Sequence, residues 1–325
     1  MIKFSFHLSI GQPDHEADKT VQKDLVLEIP ELLQAAQEVI RQMAVARSKS
    51  TIDNYETALR SLIRYTKTLP AMPPLNALFM EGFLQWLLGQ GISLNTISCY
   101  MRSLRSLLIK IYPKTEINNL FEHTFTGKTQ TEKRSISLHD AKRLSMLQLP
   151  PQSSIEFSRD LFLFSFYALG MPFVDMAFLR KSDIRAGYIV YNRHKTGQRI
   201  RVRIEPPMQD IIERYRKQDS PFVFPIITST DSTVLTQEYE TVRSRYNRHL
   251  RRLGKMLGLP KVLTSYVARH SWASAAYQAN VELAVISKAL GHTSPNTTLT
   301  YIREIDDSRI DSANSKLIEQ LSKET

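Results

Sequence analysis

The chain has 325 residues, 42% of them hydrophobic, and carries a formal net charge of +11. This length predicts two domains, and the composition is that of a globular protein with a core of ordinary size. The excess of basic residues indicates a polyanionic partner. The single cysteine, Cys99, excludes a disulfide framework and a cysteine-ligated metal, and no run approaches the ~20 apolar residues of a membrane span. Because the N-terminal residues also lack the apolar core of a signal peptide, we expect a cytoplasmic protein.

The first 115 residues predict a helical domain behind a short N-terminal extension. Residues 1–30 alternate weakly between polar and apolar side chains, which indicates a small hairpin or an extended arm. In residues 31–115, apolar residues recur at helical spacing in four separate stretches, which predicts four helices. The fourth helix carries Arg102 and Arg105 three positions apart, so the two guanidinium groups can reach a shared face. Residues 116–134 are polar and predict a linker.

The rest of the chain predicts a second domain that is mainly helical and contains a small β-sheet. Ser137 and Asp140 mark the N-terminal cap of its first helix, and residues 157–169 are apolar almost all round, which indicates a buried helix. A turn at Lys195-Thr196-Gly197 separates two short strands, at residues 188–191 and 200–204. Later periodic stretches predict three more helices, at residues 208–216, 237–257 and 308–321.

A stretch near the C-terminus carries three kinds of residue that suit phosphate chemistry. Arg269 lies in a helical pattern, His292 stands just past a helix that ends at Gly291, and Tyr301 follows nine residues later. Arginine binds two phosphate oxygens in a planar fork, histidine can donate a hydrogen bond or a proton, and tyrosine can be a covalent nucleophile. Taken singly, each of these residues is more often structural. Their joint spacing indicates a phosphodiester transesterification.

Several short motifs in this stretch resemble the closing boxes of the tyrosine recombinases, or phage integrase family. They are Ala268-Arg269-His270-Ser271-Trp272, Leu290-Gly291-His292, and Thr297-Thr298 with Tyr301. The similarity extends over roughly residues 31–315 and is greatest to the short integrases and invertases of Bacteroides-type bacteria. It implies a mainly α (α+β) fold, with a SAM-like four-helix core-binding domain at residues 31–115 and a catalytic domain at residues 135–325. The C-terminal helix of that domain can pack on its own chain or on a neighbouring protomer.

The resemblance also implies an activity, that of a site-specific DNA recombinase or integrase that works through a 3′-phosphotyrosyl intermediate. Tyr301 is then the nucleophile, and Arg269 and His292 stabilise the phosphorane. Lys195 is the general acid for the leaving 5′ oxygen, and Tyr266 supports them in place of a family histidine. The predicted DNA contacts lie on the fourth helix, the turn and the long basic helix, namely Arg102, Arg105, Arg193, Thr196, Arg199, Arg245 and Arg248.

The implied partner is double-stranded DNA. The expected assembly is a homotetramer on synapsed DNA and a monomer or weak oligomer when free, in a bacterial cytoplasm. We expect neither a cofactor nor a metal, because the phosphotyrosyl link keeps the energy of the broken phosphodiester bond. Two alternatives stay open: a type IB topoisomerase-like nicking-closing enzyme, and a catalytically weak or silent DNA-binding member of the family.

One residue of the family pattern is missing. The family uses two catalytic arginines, and the first normally begins a helix just after a Gly-hydrophobic pair. Pro172 holds that place here, and Leu169 holds the position at which Bacteroides-type relatives more often carry the arginine. Asp175 fits the acidic residue of this box, but the nearest arginines along the chain are Arg180 and Arg159. We therefore expect a slow enzyme, because losing one such donor typically costs ~10²–10³ in rate.

Overall fold

The computed structural model describes residues 29–45, 47–129, 135–229, 231–299, 314–315 and 318–319. These residues belong to two compact units, divided at residues 131–132. As predicted, the fold is mainly helical and contains one small antiparallel sheet. Nearly all of the predicted N-terminal arm, most of the predicted C-terminal helix and Tyr301 lie outside the described residues. Within the described part of the chain, no helix has both the length and the apolar character that crossing a bilayer requires.

The N-terminal unit contains the four predicted helices and one further short helix. Their bounds are α1 Ile29–Met43, α2 Lys49–Thr66, α3 Ala77–Gly89, α4 Leu94–Leu108 and α5 Lys114–Leu120. An apolar stripe on α2 packs against both α1 and α4. Side-chain caps fix two of the helix starts, because Asn76 accepts the backbone N–H of Phe79 and Ser93 accepts that of Thr96.

The structure differs from the predicted linker over residues 116–134, because the first part of that segment completes the N-terminal unit. Ile117 and Leu120 of α5 are buried in the same core as Phe83 of α3. Beyond α5, the Asn95 side chain pairs with the backbone of Thr129 through two hydrogen bonds of 2.9 and 3.0 Å. The segment is polar in composition, but its few apolar residues can be buried, and their burial keeps it in the N-terminal unit.

The C-terminal unit is built around one buried helix. In chain order its described helices are α6 Leu138–Ser145, α7 Ser154–Tyr167, α8 Phe173–Ala177, α9 Pro206–Arg214, α10 Ser232–Met256, α11 Val267–Gln278, α12 Leu283–Leu290 and α13 Pro295–Leu299. Helix α7 is the predicted buried helix, and α6, α9, α10 and α11 all pack against it. The cap predicted for α6 is present, with Ser137 Oγ accepting the backbone N–H of Asp140 at 3.0 Å.

The sheet has three antiparallel strands in the order β1 Ile184–Arg185, β2 Tyr188–Asn192 and β3 Arg199–Arg203. Strands β2 and β3 are the two predicted strands, whereas β1 has only two residues and is too short to show a period. Ile189 and Tyr191 of β2 are buried and alternate with more exposed neighbours. The turn between β2 and β3 is closed by two hydrogen bonds of 2.8 Å, from Arg193 N–H to the Gln198 carbonyl and from Gly197 N–H to the Arg193 carbonyl.

Candidate active site

Arg269 lies in the first turn of α11 and is almost completely buried, with 3% exposure. Its Nη1 donates to the carbonyl oxygen of Gly170 at 3.0 Å, and its Nη2 donates to that of Leu290 at 2.5 Å. Gly170 has φ +72° and follows Leu169 at φ +58°, so the chain turns tightly here. A Cβ on residue 170 would lie 2.9 Å from Cα of Arg269. Glycine is therefore required for α11 to approach this turn.

Arg193 is the second buried arginine of the cluster, with 6% exposure. It follows β2, and its Nη1 donates to the carbonyl oxygen of Leu290, the same atom that Arg269 contacts. Its Nε lies 3.1 Å from Oδ2 of Asp175, whose Oδ1 accepts the backbone N–H of His194 at 2.9 Å. Burial raises the pKa of Asp175, and the neighbouring N–H and guanidinium groups oppose that rise. One carbonyl oxygen and one carboxylate thus bring two guanidinium groups together.

His292 stands beside Arg269 because α12 ends at Gly291, which adopts the left-handed conformation with φ +64°. Its Nε2 lies 3.0 Å from Nη2 of Arg269, and its Nδ1 lies 2.9 Å from Oγ1 of Thr298 on α13. Burial, followed by repulsion from the surrounding cations, lowers the pKa of His292 from 6.5 to about 4. The imidazole is therefore neutral at neutral pH.

Arg193 and Arg269 line a cleft of about 490 Å³ in the C-terminal unit. Its walls come from the start of α8, the β2–β3 turn, α10 and the start of α11. Lys195 and Tyr266 also line this cleft, and both side chains are exposed. The described lining residues include no carboxylate and five cations, which are Arg193, Lys195, Arg243, Arg251 and Arg269. Such a cleft suits an anionic ligand.

Helix α10 presents a different face to the cleft from the one predicted. Four of its lining residues are spaced by four, namely Tyr239, Arg243, Asn247 and Arg251, and Ser244 lies beside them. Arg245 and Arg248, the predicted DNA contacts on this helix, are exposed and do not line the cleft. The rotation of the helix is set by its buried apolar residues, among them Tyr246 and Leu250. The basic composition of α10 predicted that this helix contacts DNA, but it did not predict which side of the helix faces the cleft.

The other predicted DNA contacts do not line the cleft. Arg199 is exposed at the start of β3, and Thr196 donates to the carbonyl oxygen of Gly291 at 3.3 Å. In the N-terminal unit, Arg102 is exposed, whereas Arg105 is partly buried and donates to the Asn118 side chain at 2.7 Å. That bond connects α4 to α5, so Arg105 has a structural partner that the sequence did not reveal.

Neither of the arginines that the sequence offered for the missing position reaches the cleft. Arg159 is buried on α7, where it pairs with Asp160 at 2.8 Å, and Arg180 is exposed just before a 3-10 turn at residues 181–183. Sequence reasoning treated Arg193 as a DNA contact and missed its place in the cluster. The inward alternation of β2 was the available signal, because it continues from Ile189 through Tyr191 to residue 193.

Tyr301, the predicted nucleophile, lies outside the described residues, two positions beyond the end of α13 at Leu299. The predicted catalytic residues that the structure describes are found together. Lys195, Tyr266 and Arg269 line one cleft, and His292 contacts Arg269. Among the described residues, no three His, Cys, Asp or Glu side chains are grouped in a way that could hold a metal ion.

Comparison with known protein families gives two adjoining matches. Residues 137–307 match the Phage integrase family, and residues 31–117 match the Phage integrase SAM-like domain. The chain is 26% identical over 265 residues to Tyrosine recombinase XerA of Pyrococcus furiosus, covering 79% of this chain and 84% of that protein. It is 25% identical over 305 residues to Tyrosine recombinase XerC of Rhizobium meliloti, covering 86% and 92%. The chain therefore belongs to the phage integrase family of tyrosine recombinases, as the resemblance predicts.

Solved structures share the fold. The XerH site-specific recombinase bound to its difH substrate aligns with a TM-score of 0.64 at 16% identity, covering 89% of this chain and 98% of that one. A lambda integrase tetramer bound to a Holliday junction aligns with a TM-score of 0.62 at 16% identity, covering 85% and 79%. Both alignments extend across the two units, which supports the predicted fold class.

Proposed function

We propose that this protein is a site-specific DNA recombinase that cuts and rejoins duplex DNA through a 3′-phosphotyrosyl intermediate. The observation that carries the proposal is the convergence of two buried guanidinium groups, Arg193 and Arg269, at a cationic cleft beside His292. Both arginines are buried and line this cleft, where a bound anion could accept hydrogen bonds from them. A phosphodiester group there would be held by two planar forks.

Arg193 takes the role of the missing first arginine in this proposal. Three observations support this role. Arg193 forms an ion pair with Asp175, it shares the Leu290 carbonyl with Arg269, and it is buried where it lines the cleft. The geometry favours an ordinary rate over the reduced rate expected from the sequence, because two arginines are present at the site. The first arginine is thus supplied from the β2–β3 hairpin and not from the start of α8.

The reaction then proceeds by exchange of one ester bond for another. The Tyr301 hydroxyl loses its proton to solvent, and its oxygen forms a bond to phosphorus while the bond from phosphorus to the 5′ oxygen breaks. The phosphorane charge is held by Arg193 and Arg269. Lys195, exposed on the β2–β3 turn, gives a proton to the departing 5′ oxygen. A 5′-hydroxyl from a second strand reverses these steps and releases the tyrosine. Tyr266 lines the cleft and would add a hydrogen bond to the phosphate.

The partner and assembly follow from the family and the charge. Related structures contain DNA, and one of them is a tetramer on a Holliday junction. We propose duplex DNA as the substrate here, with a homotetramer on two synapsed sites in a bacterial cytoplasm. The cationic cleft and the exposed Arg199, Arg245 and Arg248 would supply phosphate contacts, so affinity should fall steeply as salt increases.

A nicked duplex made from the DNA that flanks the gene tests the chemistry. The short strand beyond the nick diffuses away after cleavage, so a covalent protein–DNA adduct should accumulate in the wild type. Tyr301→Phe should bind the duplex with the same affinity and form no adduct. An adduct in this variant would place the nucleophile elsewhere, and a wild type that binds without forming one would support the silent DNA-binding alternative. Strand exchange between two duplexes separates a recombinase from a topoisomerase-like enzyme.

The role of Lys195 is tested with a substrate in which sulfur replaces the bridging 5′ oxygen. A thiolate leaves without protonation, so Lys195→Ala should cleave the normal duplex slowly and the sulfur-containing duplex at the wild-type rate. Arg269→Ala serves as the control, because removing a phosphate ligand should slow both substrates. Equal losses on both substrates in the Lys195 variant would show that this lysine positions DNA and donates no proton.

A further inference from the structure

Both ring nitrogens of His292 have a close partner, and the two partners differ in what they can do. Nε2 lies 3.0 Å from Nη2 of Arg269, and Nδ1 lies 2.9 Å from Oγ1 of Thr298. A guanidinium group has only donors, so the contact with Arg269 is a hydrogen bond only when Nε2 is the acceptor. The hydrogen of the neutral imidazole is then on Nδ1, and it is donated to the Thr298 hydroxyl. The contacts alone thus assign the tautomer.

Thr298 is placed to keep this arrangement fixed. It is fully buried, at 0% exposure, and belongs to α13, which packs against α12 next to His292. A buried N–H without an acceptor is costly, so the hydroxyl stabilises the form in which Nδ1 carries the hydrogen. Thr298 also stands three residues before Tyr301 in the chain. The hydroxyl therefore connects the histidine to the short helix that leads to the proposed nucleophile.

We infer that Thr298 is a positioning residue that confines proton exchange of His292 to Nε2, the nitrogen that faces Arg269. With Nδ1–H held by the threonine, the only site at which His292 gains or releases a proton is Nε2. When Nε2 takes up a proton it turns from an acceptor into a donor and can no longer accept from Arg269. It can then donate to an anion held by that arginine. The inference deepens the proposed function and rests on it for the reaction, but not for the tautomer.

The charges around His292 determine when Nε2 takes up a proton and when it releases one. The cations that face the ring come from two elements, Arg269 from α11 and Arg193 with Lys195 from the β2–β3 hairpin. Burial is the larger cause of the lowered pKa of the imidazole, and these cations lower it further. A bound phosphodiester anion would offset part of their repulsion. His292 is therefore expected to take up a proton at Nε2 when the phosphate arrives and to return it when the phosphate leaves.

The tautomer is measured in the full chain without any DNA. Protein labelled with ¹⁵N-histidine gives nitrogen shifts that distinguish protonated from unprotonated ring nitrogens, and His292→Gln identifies the His292 signals. The wild type should show a protonated Nδ1 and an unprotonated Nε2. Thr298→Val keeps the shape but leaves a buried Nδ1–H without an acceptor, a cost that offsets the hydrogen bond from Arg269, so both tautomers should be populated. Thr298→Ser keeps the hydroxyl and should restore the wild-type pattern.

The rate of adduct formation and its pH profile give a second test of the same variants. Thr298→Val should slow adduct formation on the nicked duplex by about 5- to 10-fold, the effect of one neutral hydrogen bond, and should change the pH profile of the rate. Thr298→Ser should restore both the rate and the profile. Thr66→Val is the matched control, because it removes another buried hydroxyl, one that donates to the Ile63 carbonyl in the N-terminal unit. It should leave the His292 signals and the pH profile unchanged.

The outcomes separate the two proposals. Unchanged His292 nitrogen shifts in Thr298→Val would overturn the inference, since Arg269 alone would then fix the tautomer. A uniform rate loss without a change of pH profile, shared by Thr298→Ser, would also overturn it in favour of a structural role. If the shifts respond as expected but the wild type forms no adduct, the positioning role stands and the recombinase proposal fails.

Discussion

Two clusters of buried charge in the described part of the C-terminal unit differ in their balance of positive and negative groups. In the first, Asp160 of α7 accepts hydrogen bonds from Arg159 at 2.8 Å and from Arg214 and Tyr215 at 2.7 Å each. Glu156 adds a second carboxylate, 3.3 Å from Arg159. Two guanidinium groups thus meet two carboxylates, and the carbonyl of residue 147 accepts a further N–H.

In the second cluster, Arg193 and Arg269 converge on one carbonyl oxygen with Lys195 close by, and Asp175 is the carboxylate that faces them. Burial, followed by this excess of positive charge, lowers the pKa of His292 to about 4. The balanced cluster is complete and connects α7 to α9. The unbalanced cluster lines a cleft that could accept an anion, which is what distinguishes a binding site from a structural ion pair.

The largest effect is expected from breaking the balanced cluster. Asp160→Asn removes the charge that two arginines share, so the free energy of unfolding should fall by about 3–5 kcal/mol. Urea denaturation measures that loss. The rate of adduct formation per folded molecule should stay at the wild-type value, because this cluster does not line the cleft. A folded Asp160→Asn protein with slow cleavage would show that the two clusters are coupled.

A change in the unbalanced cluster should act on the rate. Arg193→Ala should slow adduct formation by ~10²–10³, the usual effect of losing a charged donor to a developing oxyanion. Arg193→Lys should remain slow, because an ammonium group cannot replace a planar fork. Single-turnover assays at saturating DNA separate this loss from weaker binding. A rate for Arg193→Ala close to the wild type would remove Arg193 from the proposed mechanism.

Moving the arginine from residue 193 to residue 172 tests the same role in a second way. Pro172 lines the cleft at the position where the family normally carries its first arginine. Pro172→Arg should therefore restore part of the rate in the Arg193→Ala background and add little to the wild type, in which the role is already filled. Acceleration of the wild type by Pro172→Arg would support the slow enzyme expected from the sequence.

Alanine substitutions at two glycines can separate the effect of backbone strain from the effect of a steric clash in the site. Gly291 and Gly258 end α12 and α10 with φ +64° and +62°, so alanine should cost each about 1–2 kcal/mol of folding stability. At residue 291 a Cβ would also lie 2.9 Å from Cδ1 of Ile200 and 3.0 Å from Cγ of Arg193, whereas nothing lies within 4 Å at residue 258. Gly291→Ala should thus slow cleavage and Gly258→Ala should not. Equal rates in both variants would mean that the Arg193 position tolerates a shift.

The smallest effect is a dependence of stability on pH. The folded-state pKa of His292, about 4, lies below its ordinary value of 6.5. Between these values the unfolded chain binds a proton that the folded chain does not, so stability is full above pH 6.5 and falls as the pH decreases toward 4. His292→Gln should flatten this slope in urea titrations at several pH values. His249 has a lowered pKa and a slope of the same sign, so His249→Gln is the comparison. An unchanged slope in His292→Gln would contradict the buried, neutral imidazole.

The sequence by itself determined the elements and the chemistry. Local signals placed the helices, from the Ser137 cap of α6 to the nearly all-apolar α7, and alternation placed β2 and β3. These signals are reliable because caps and periods act between residues close in the chain. The spacing of Arg269, His292 and Tyr301 indicated the family in the same way. The catalytic roles of all three residues stay predictions, and Tyr301 lies outside the described residues.

Only the tertiary structure decided which charged residues share a site. Arg193 and Arg159 look alike in the sequence, yet one meets a single carboxylate at the cleft and the other is enclosed by two. On α10 the buried residues turned Arg243 toward the cleft and Arg245 away from it. The physical reason is that pairing depends on contacts between residues far apart in the chain. Arg193 and Leu290 are 97 positions apart, and no local period carries that information.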